Sequence, residues 1–292
     1  MSRPETLLRV FMWRRNQNNM NSQCIASFVL GTACLIAVPS VGLAHDGTHL
    51  ETAGTRYGQS AALGTGTIRT YAILGAQKDP ATNHKPPVEL GLEIPANVMY
   101  GLPAQNAVAL IDFPIQARDT QFQYMMVDWN PHGHEPAGIY DLPHFDFHFY
   151  IQDVDDVMDI APGPCSGLAC DDFSKAVKPV PSRFVPAGYI NVGSVVPFMG
   201  NHLIDVASPE FNGQKFNRTF LYGAYDGQIT FMEPMITYDN LSQKQEQCTV
   251  IKQPAQFAAA GYYPGKYCTR YDSSESVYRV LITDFTWHAA NQ

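Results

Sequence analysis

Residues 143–151 read PHFDFHFYI, and this stretch decides the class of fold. Its aromatic and polar residues alternate, which is the period of a β-strand rather than of an α-helix. One face of such a strand would be apolar and would comprise Phe145, Phe147, Phe149 and Ile151. The opposite face would be polar and would comprise His144, Asp146, His148 and Tyr150. The stretch therefore predicts a β-strand that places two imidazoles and a carboxylate on one face.

Six more stretches carry the β-branched and aromatic residues that are typical of strands. They are GTIRTYAILG (66–75), AVALIDFPI (107–115), FQYMMVDWN (122–130), RTFLYGAY (218–225), GQITFMEPMITY (227–238) and VYRVLITDFTWHA (277–289). The pair Asp226–Gly227 is typical of the type I′ turn of a tight hairpin, because both turn positions require a positive φ. Since no regular helices separate these strands, the pattern predicts antiparallel sheets.

Helix signals are few and short. SPEFNGQKF (208–216) predicts a turn of helix, and QPAQFAAAG (253–261) predicts a short helix that ends at Gly261. The expected fold class is therefore all-β, an antiparallel barrel or sandwich that forms a single domain. We expect this domain to span residues 64–292. It would include a long loop at residues 155–201, of the kind that often forms a lid or binding loop.

Residues 1–44 have the layout of a secretory signal peptide. Four arginines and one acidic residue precede an apolar run, CIASFVLGTACLIAVPSVGLA (24–44), which ends in small residues. Cleavage after Ala44 predicts a periplasmic or secreted protein, with residues 45–63 as a flexible N-terminal segment. A retained membrane anchor is the alternative, because the run approaches the ~20 residues that span a bilayer. Pro39 and the small residues near it favour cleavage.

The chain is acidic, with 19 basic residues, 27 acidic residues and a net charge of −8. Loss of residues 1–44 would remove four arginines and one glutamate and would change the net charge to −11. A surface of this sign repels nucleic acid and anionic membranes, so neither is an expected partner. The expected partners are a small-molecule ligand and further copies of the chain in a homo-oligomer.

Four cysteines follow the predicted cleavage site, and an even number in an exported chain predicts two disulfides. They are Cys165, Cys170, Cys248 and Cys268. Proximity in sequence favours Cys165–Cys170 and Cys248–Cys268, which is one of three pairings. A four-cysteine zinc site is the alternative, although the cysteines lack the usual CxxC spacing.

Histidines and carboxylates also occur in the later strands. His202 lies in VPFMGNHLID, and Glu233 lies among apolar neighbours in GQITFMEPMI. A carboxylate in such surroundings costs free energy unless it is paired, protonated or bound to a cation. Imidazole and carboxylate groups are ligands of zinc and other divalent transition metals. The preferred hypothesis is a metal site formed by His148, His202 and Glu233, which His144 or Asp146 completes or orients.

The spacing within residues 143–151 limits how an ion could be shared. His144 and His148 lie about 13 Å apart along a regular strand, which is too far for simple co-ligation. Asp146 lies about 7 Å from each of them. His144 and Asp146 are also candidate catalytic residues, and His134 and Glu135 are second-tier candidates. The alternative is that the polar face is merely solvated.

The stretches GHEPAGIYDLPHFDFHFY, PFMGNHLID and FLYGAYDGQITFMEPMIT resemble the motifs of a small family of exported bacterial proteins. That family is classified as a domain of unknown function. The resemblance covers roughly residues 64–240 and implies a β-rich domain that can form oligomers. It implies no activity and no catalytic residues. The positions that match its motifs are His134, Glu135, His144, Asp146, His148, His202 and Glu233.

Two hypotheses of different kinds follow. The first is an exported, disulfide-stabilised β-protein with a metal site that supports small-molecule chemistry, such as that of a lyase, hydrolase or isomerase. The second is a non-catalytic envelope protein that binds a partner or takes part in assembly. They differ in whether a divalent metal ion is the cofactor.

Overall fold

In residues 54–291, the part of the chain that the computed structural model describes, thirteen of the fifteen strands form two large antiparallel sheets. The six-stranded sheet has the spatial order β1 (Thr55–Leu63), β2 (Gly66–Leu74), β3 (Pro87–Pro95), β15 (Val277–His288), β14 (Gly261–Asp272) and β13 (Gln247–Val250). The seven-stranded sheet has the order β4 (Ala107–Asp112), β5 (Tyr124–Asn130), β6 (His144–Tyr150), β12 (Gln228–Thr237), β11 (Arg218–Tyr225), β10 (Gly200–Asp205) and β9 (Tyr189–Val196). Both sheets have open edges. The all-β prediction is confirmed, and the architecture is a sandwich.

Short elements connect these strands. The helices are α1 (Ala96–Tyr100), α2 (Val154–Met158), α3 (Cys170–Ala176) and α4 (Tyr238–Ser242). Single 3-10 turns occur at Ile115–Asp119, Ser182–Phe184 and Pro209–Asn212, and β7 (Pro162–Gly163) pairs with β8 (Gly167–Leu168) in a small hairpin. Among the described residues, no helix has the length and apolar character required to cross a membrane.

The strand predictions are confirmed for all seven stretches, which form β2, β4, β5, β6, β11, β12 and β15. The predicted hairpin turn is also present between β11 and β12. Its residues Asp226 and Gly227 have φ values of 49° and 78°. The turn expected within residues 208–216 is the 3-10 turn Pro209–Asn212, which ends at Gly213.

The short helix predicted at residues 253–261 is wrong. This segment instead bonds to other parts of the chain: the backbone N–H of Gln256 donates to the carbonyl of Arg183. The ring of Phe257 is buried and lies 4.1 Å from that of Tyr263. These tertiary contacts override the weak helix propensity of the alanine run. Gly261 therefore begins β14.

The predicted segment boundaries differ from the structure in two places. Thr55–Leu63 forms β1, which pairs with β2, so the expected flexible segment 45–63 is wrong for these residues. The stretch 155–201 contains the β7–β8 hairpin, α3 and β9, so it is not a long irregular loop. The predicted signal peptide at residues 1–44 lies outside the described residues.

The hydrophobic core lies between the two sheets, and β6 contributes its apolar face to it. Phe145, Phe147 and Phe149 are fully buried in one cluster with residues of the six-stranded sheet, including Leu92 of β3 and Val280 of β15. Because side chains alternate along a strand, the histidines and aspartate of β6 lie on the opposite face of the seven-stranded sheet. We call this the outer face.

Two disulfides are present, and both match the pairing that sequence proximity favours. Cys165–Cys170 closes a sequence separation of 5 residues next to α3, and Cys248–Cys268 closes a separation of 20 and joins β13 to β14. The four-cysteine zinc alternative is therefore wrong. Disulfides of this kind are typical of proteins that fold in an oxidising compartment.

We expect that replacing both Cys248 and Cys268 by serine lowers the free energy of unfolding by about 3 kcal/mol, because a loop of this length is then free in the unfolded chain. The corresponding Cys165 and Cys170 double variant should lose only about 2 kcal/mol, since its loop is shorter. Urea unfolding followed by circular dichroism measures both losses. A larger loss for the second variant would contradict this expectation.

Candidate metal centre

The pairing of β5, β6 and β12 aligns polar side chains on the outer face. Met126 of β5 pairs with His148 of β6. In β12, Met232 pairs with Phe149 and Met235 with Asp146, so Glu233 lies opposite His148. Side chains directly opposite each other on neighbouring strands have Cβ atoms ~5 Å apart. The register therefore brings an imidazole and a carboxylate together although they are distant in sequence.

His202 of β10 reaches the same place because the strand between it and β12 carries no side chain there. Gly223 of β11 pairs with His202 on one side and with Phe231 of β12 on the other. A Cβ at this glycine would lie 2.2 Å from the ring of Phe231. The ring therefore packs over the glycine, and its centroid lies 5.2 Å from that of His202 and 4.9 Å from that of His148.

His148, His202 and Glu233 form what we call the inner cluster. Nε2 of His148 lies 3.3 Å from Oε1 of Glu233, and Nε2 of His202 lies 3.7 Å from Oε2 of the same carboxylate. The three ligand atoms lie within 4.8 Å of one another, and all three side chains are buried. The convergence expected from the sequence is therefore present.

The other nitrogen of each ring in the inner cluster is held by the backbone. Nδ1 of His202 donates to the carbonyl of Ser194 at 3.1 Å. Nδ1 of His148 lies 3.4 Å from the carbonyl of Met126 and 3.4 Å from Oδ2 of Asp128. A carbonyl can only accept, so Nδ1 carries a proton and Nε2 is the ring nitrogen that faces the cluster. Metal-binding histidines show this arrangement in most proteins.

A second group, which we call the outer cluster, consists of His134, His144 and Asp146. Nε2 of His134 lies 3.4 Å from Oδ2 of Asp146, and Nε2 of His144 lies 3.0 Å from Oδ1. Here too each Nδ1 donates to a backbone carbonyl, that of Glu135 at 2.6 Å and that of Leu142 at 2.7 Å. Its ligand atoms also lie within 4.8 Å of one another.

The electrostatics of Asp146 depend on these rings. Burial disfavours the charged form of this carboxyl, but His144 and His134 outweigh that effect and hold its pKa well below the usual range. Asn130 also donates from Nδ2 to Oδ2 of Asp146 at 2.9 Å. The site therefore favours a carboxylate anion, which is the form that binds a metal ion.

The distances in both clusters fit a shared ion. Bonds of about 2.0–2.2 Å at angles near 90–110° place neighbouring ligand atoms roughly 3–3.5 Å apart. Three of the four nitrogen–oxygen distances, at 3.0, 3.3 and 3.4 Å, lie in this range, and the fourth, between His202 and Glu233, is longer at 3.7 Å. Both groups of histidine and carboxylate, in which only His134 is half-buried, could therefore hold a metal ion.

Both clusters border one cavity of about 210 Å³. The polar part of its wall comprises His134, Glu135, Asp146, His148, Ser194, His202 and Glu233. The apolar part includes Val192, Val195, Val196, Met199, Leu221 and Met235. A larger cleft of about 710 Å³ beside β1 is lined by only one carboxylate, Asp112, and by no histidine. Of these two cavities, the smaller one therefore carries both imidazole and carboxylate groups.

The structure divides the predicted site residues into two groups. His144, expected to complete the preferred set, lies instead in the outer cluster with Asp146 and the second-tier residue His134. Glu135 is exposed at the cavity wall. The solvated alternative for the polar face is wrong, because His144, Asp146 and His148 are at most 1 % exposed.

Sequence reasoning missed two residues that support the clusters, Asp128 and Asn130 of β5. Asp128 is 1 % exposed and lies beside Nδ1 of His148, and Asn130 lies beside Asp146. The signal was the same one that identified Glu233: a carboxylate within an otherwise apolar strand, YMMVDWN.

No protein-family model matches this chain, and comparisons with curated proteins and with solved structures also gave no match. The resemblance to exported bacterial proteins is therefore neither supported nor contradicted by these comparisons, and functional conclusions rest on the geometry of the two clusters.

Proposed function

We propose that this is an exported metal-binding β-protein, in which the inner cluster holds a divalent transition metal ion at the wall of a small-molecule cavity. The observation that carries the proposal is the orientation of the two rings. His148 and His202 both present Nε2 to the carboxylate of Glu233, while their Nδ1 atoms face backbone carbonyls. A ring nitrogen that faces a carboxylate oxygen requires a proton or a metal ion between them.

The bridge between the rings and the carboxyl group is a metal ion, a proton on each ring, or a proton on the carboxyl group, and a single carboxyl proton can bond to only one of the two rings. Two buried imidazolium rings would have to be desolvated, and buried ion pairs recover this cost only with very good geometry. The contacts of 3.3 and 3.7 Å are longer than charge-assisted hydrogen bonds, which are ~2.7–2.9 Å, and the shorter of them matches the separation of two ligands of one ion. The distances therefore favour the metal.

The inner cluster supplies three protein ligands, two imidazoles and one carboxylate. Zinc sites with three protein ligands are typically catalytic, because a further coordination position is left for water or substrate. A metal ion bound there would polarise a substrate oxygen or lower the pKa of a bound water. Asp128 would orient His148 through Nδ1, and Asp146 borders the same cavity as an ionised carboxylate.

The cavity suggests the class of small molecule. Its valine, methionine and leucine side chains would contact an apolar body, while the metal would bind an oxygen atom of the same molecule. We propose lyase, hydrolase or isomerase chemistry on such a molecule. The two disulfides support the proposed export to an oxidising compartment.

Metal analysis of the protein produced without a His-tag tests the proposal. We expect the chelator-treated protein to bind Zn²⁺ or Co²⁺, and saturation at about 1,000 times Kd to stabilise it by about 4 kcal/mol. For a chain of this size the melting temperature should rise by roughly 8–16 °C. Calorimetric titration and thermal unfolding measure these effects.

Folded protein that binds neither ion, and whose melting temperature is unchanged by them, would exclude the proposal. The non-catalytic envelope protein would then be the remaining hypothesis. Mg²⁺ serves as the control ion, because it prefers oxygen ligands and should not compete for sites rich in imidazole.

A further inference from the structure

The outer cluster joins a connecting segment to the sheet. His144 and Asp146 belong to β6, whereas His134 belongs to the connection 131–143 between β5 and β6. No side chain is shared with the inner cluster. An ion held here would therefore be separate from the ion of the inner cluster. Its role would depend on the segment that it links to the sheet.

The connection 131–143 forms one wall of the cavity. His134, Glu135, Pro136 and Tyr140 all line it. The outward part of the segment, around Ala137 and Gly138, is exposed to solvent. The wall thus depends on a few anchoring side chains at the base of the segment.

Two anchors hold the segment. The first is the ring of Tyr140, which lies 4.9 Å from that of Phe216 and donates a hydrogen bond to Glu210 at 3.4 Å. The second is His134, whose ring lies 4.7 Å from that of His144 and whose Nε2 faces Asp146. Of these two anchors, only His134 can bind a metal ion.

The local backbone is shaped to aim His134 at the sheet. Gly133 has a φ of 68°, and a Cβ at this position would lie 2.1 Å from the carbonyl oxygen of Tyr140. The N–H of His134 donates to that same carbonyl at 3.1 Å. The close approach of the two sides of the segment therefore requires glycine and fixes the direction of the imidazole.

We propose that the outer cluster binds a second divalent transition metal ion, which links the connection 131–143 to β6 and so closes one wall of the cavity. We call this link the clasp. Two observations support it: the three ligand atoms lie within 4.8 Å of one another, and both Nδ1 atoms donate to backbone carbonyls. This inference deepens the proposed function, because the clasped wall borders the inner cluster, but the outer ion binds independently of the inner one.

The test compares four full-length proteins without a His-tag: wild type, His134→Ala, Glu233→Ala and His132→Ala. His132 is an exposed histidine of the same connection and serves as the matched control. Titration with Zn²⁺ alone should give two ions per chain for wild type and His132→Ala, and one for each of the other variants.

Hydrogen exchange provides a readout that reports the clasp itself. Zn²⁺ should slow amide exchange in residues 131–143 of wild type, His132→Ala and Glu233→Ala, and should leave it unchanged in His134→Ala. Two ions in His134→Ala, or exchange in this segment that is independent of Zn²⁺ in wild type, would overturn the clasp. If wild type binds one ion, and this ion is lost in His134→Ala but retained in Glu233→Ala, the clasp would be upheld and the inner site would be excluded.

Discussion

Replacing Glu233 by alanine is expected to remove one bound metal ion per chain and to lower the affinity of the inner cluster by more than about 100-fold. Loss of a partner that merely orients a ligand typically costs ~10–100-fold, and Glu233 would be a ligand itself. Its two carboxylate oxygens face His148 and His202, one each. Calorimetric titration with Zn²⁺ gives both the number of ions and their affinity.

Glu135→Ala is the matched control, because Glu135 borders the same cavity but is exposed. It should bind Zn²⁺ as wild type does. Glu233→Gln separates charge from size: the amide fills the same space, so the fold should be kept while the metal affinity falls. Wild-type affinity in Glu233→Ala would mean that the two histidines do not share an ion with this carboxylate.

Replacing Gly223 by alanine is expected to be strongly destabilising although it adds one methyl group. That methyl would lie 2.2 Å from the buried ring of Phe231, which is enclosed by the rings of His148, His202 and Tyr150. Overpacking of this kind typically costs ~1–3 kcal/mol. The melting temperature should fall by roughly 2–12 °C. The variant should also bind the inner ion more weakly, because both imidazoles contact the displaced ring.

A second substitution tests the cause. In the Gly223→Ala, Phe231→Leu double variant the smaller side chain makes room for the methyl group. The double variant should therefore lose less stability than the sum of the losses of the two single variants. Thermal unfolding of the two single variants and the double variant provides the cycle. Strict additivity would show that the clash with Phe231 is not the source of the destabilisation.

The strands that the sequence predicted correctly are those with clear alternation or aromatic enrichment. Strand β14 was missed because GYYPGKYCTRYD contains Pro264 and Gly265, which argue against a strand interior. In the structure Pro264 pairs with Phe285 of β15, and the next pair is Lys266 with Thr283, so the ladder omits Gly265. Long-range pairing with β15 thus overrides a local signal.

The inner cluster could be anticipated because short stretches of sequence mark its members as unusual or assign them to one face of a strand. Glu233 stands out among apolar neighbours, and alternation assigns His148 to the opposite face from the core phenylalanines. The outer cluster could not be assembled in the same way. Its third member, His134, depends on the path of the connection 131–143, which is set by the close contact of Gly133 with Tyr140. A tertiary contact of this kind produces no periodic pattern in the sequence.

The core lies on one face of β6 and both clusters lie on the other. This arrangement limits the insertions and deletions that the gene can accept. Deleting or inserting a single codon within residues 144–150 would rotate every later side chain of the strand to the other face. The polar side chains after the change would then be forced between the sheets, while the phenylalanines after it would face the cavity. Changes of length should therefore be tolerated in surface connections such as residues 76–86, and never within this strand.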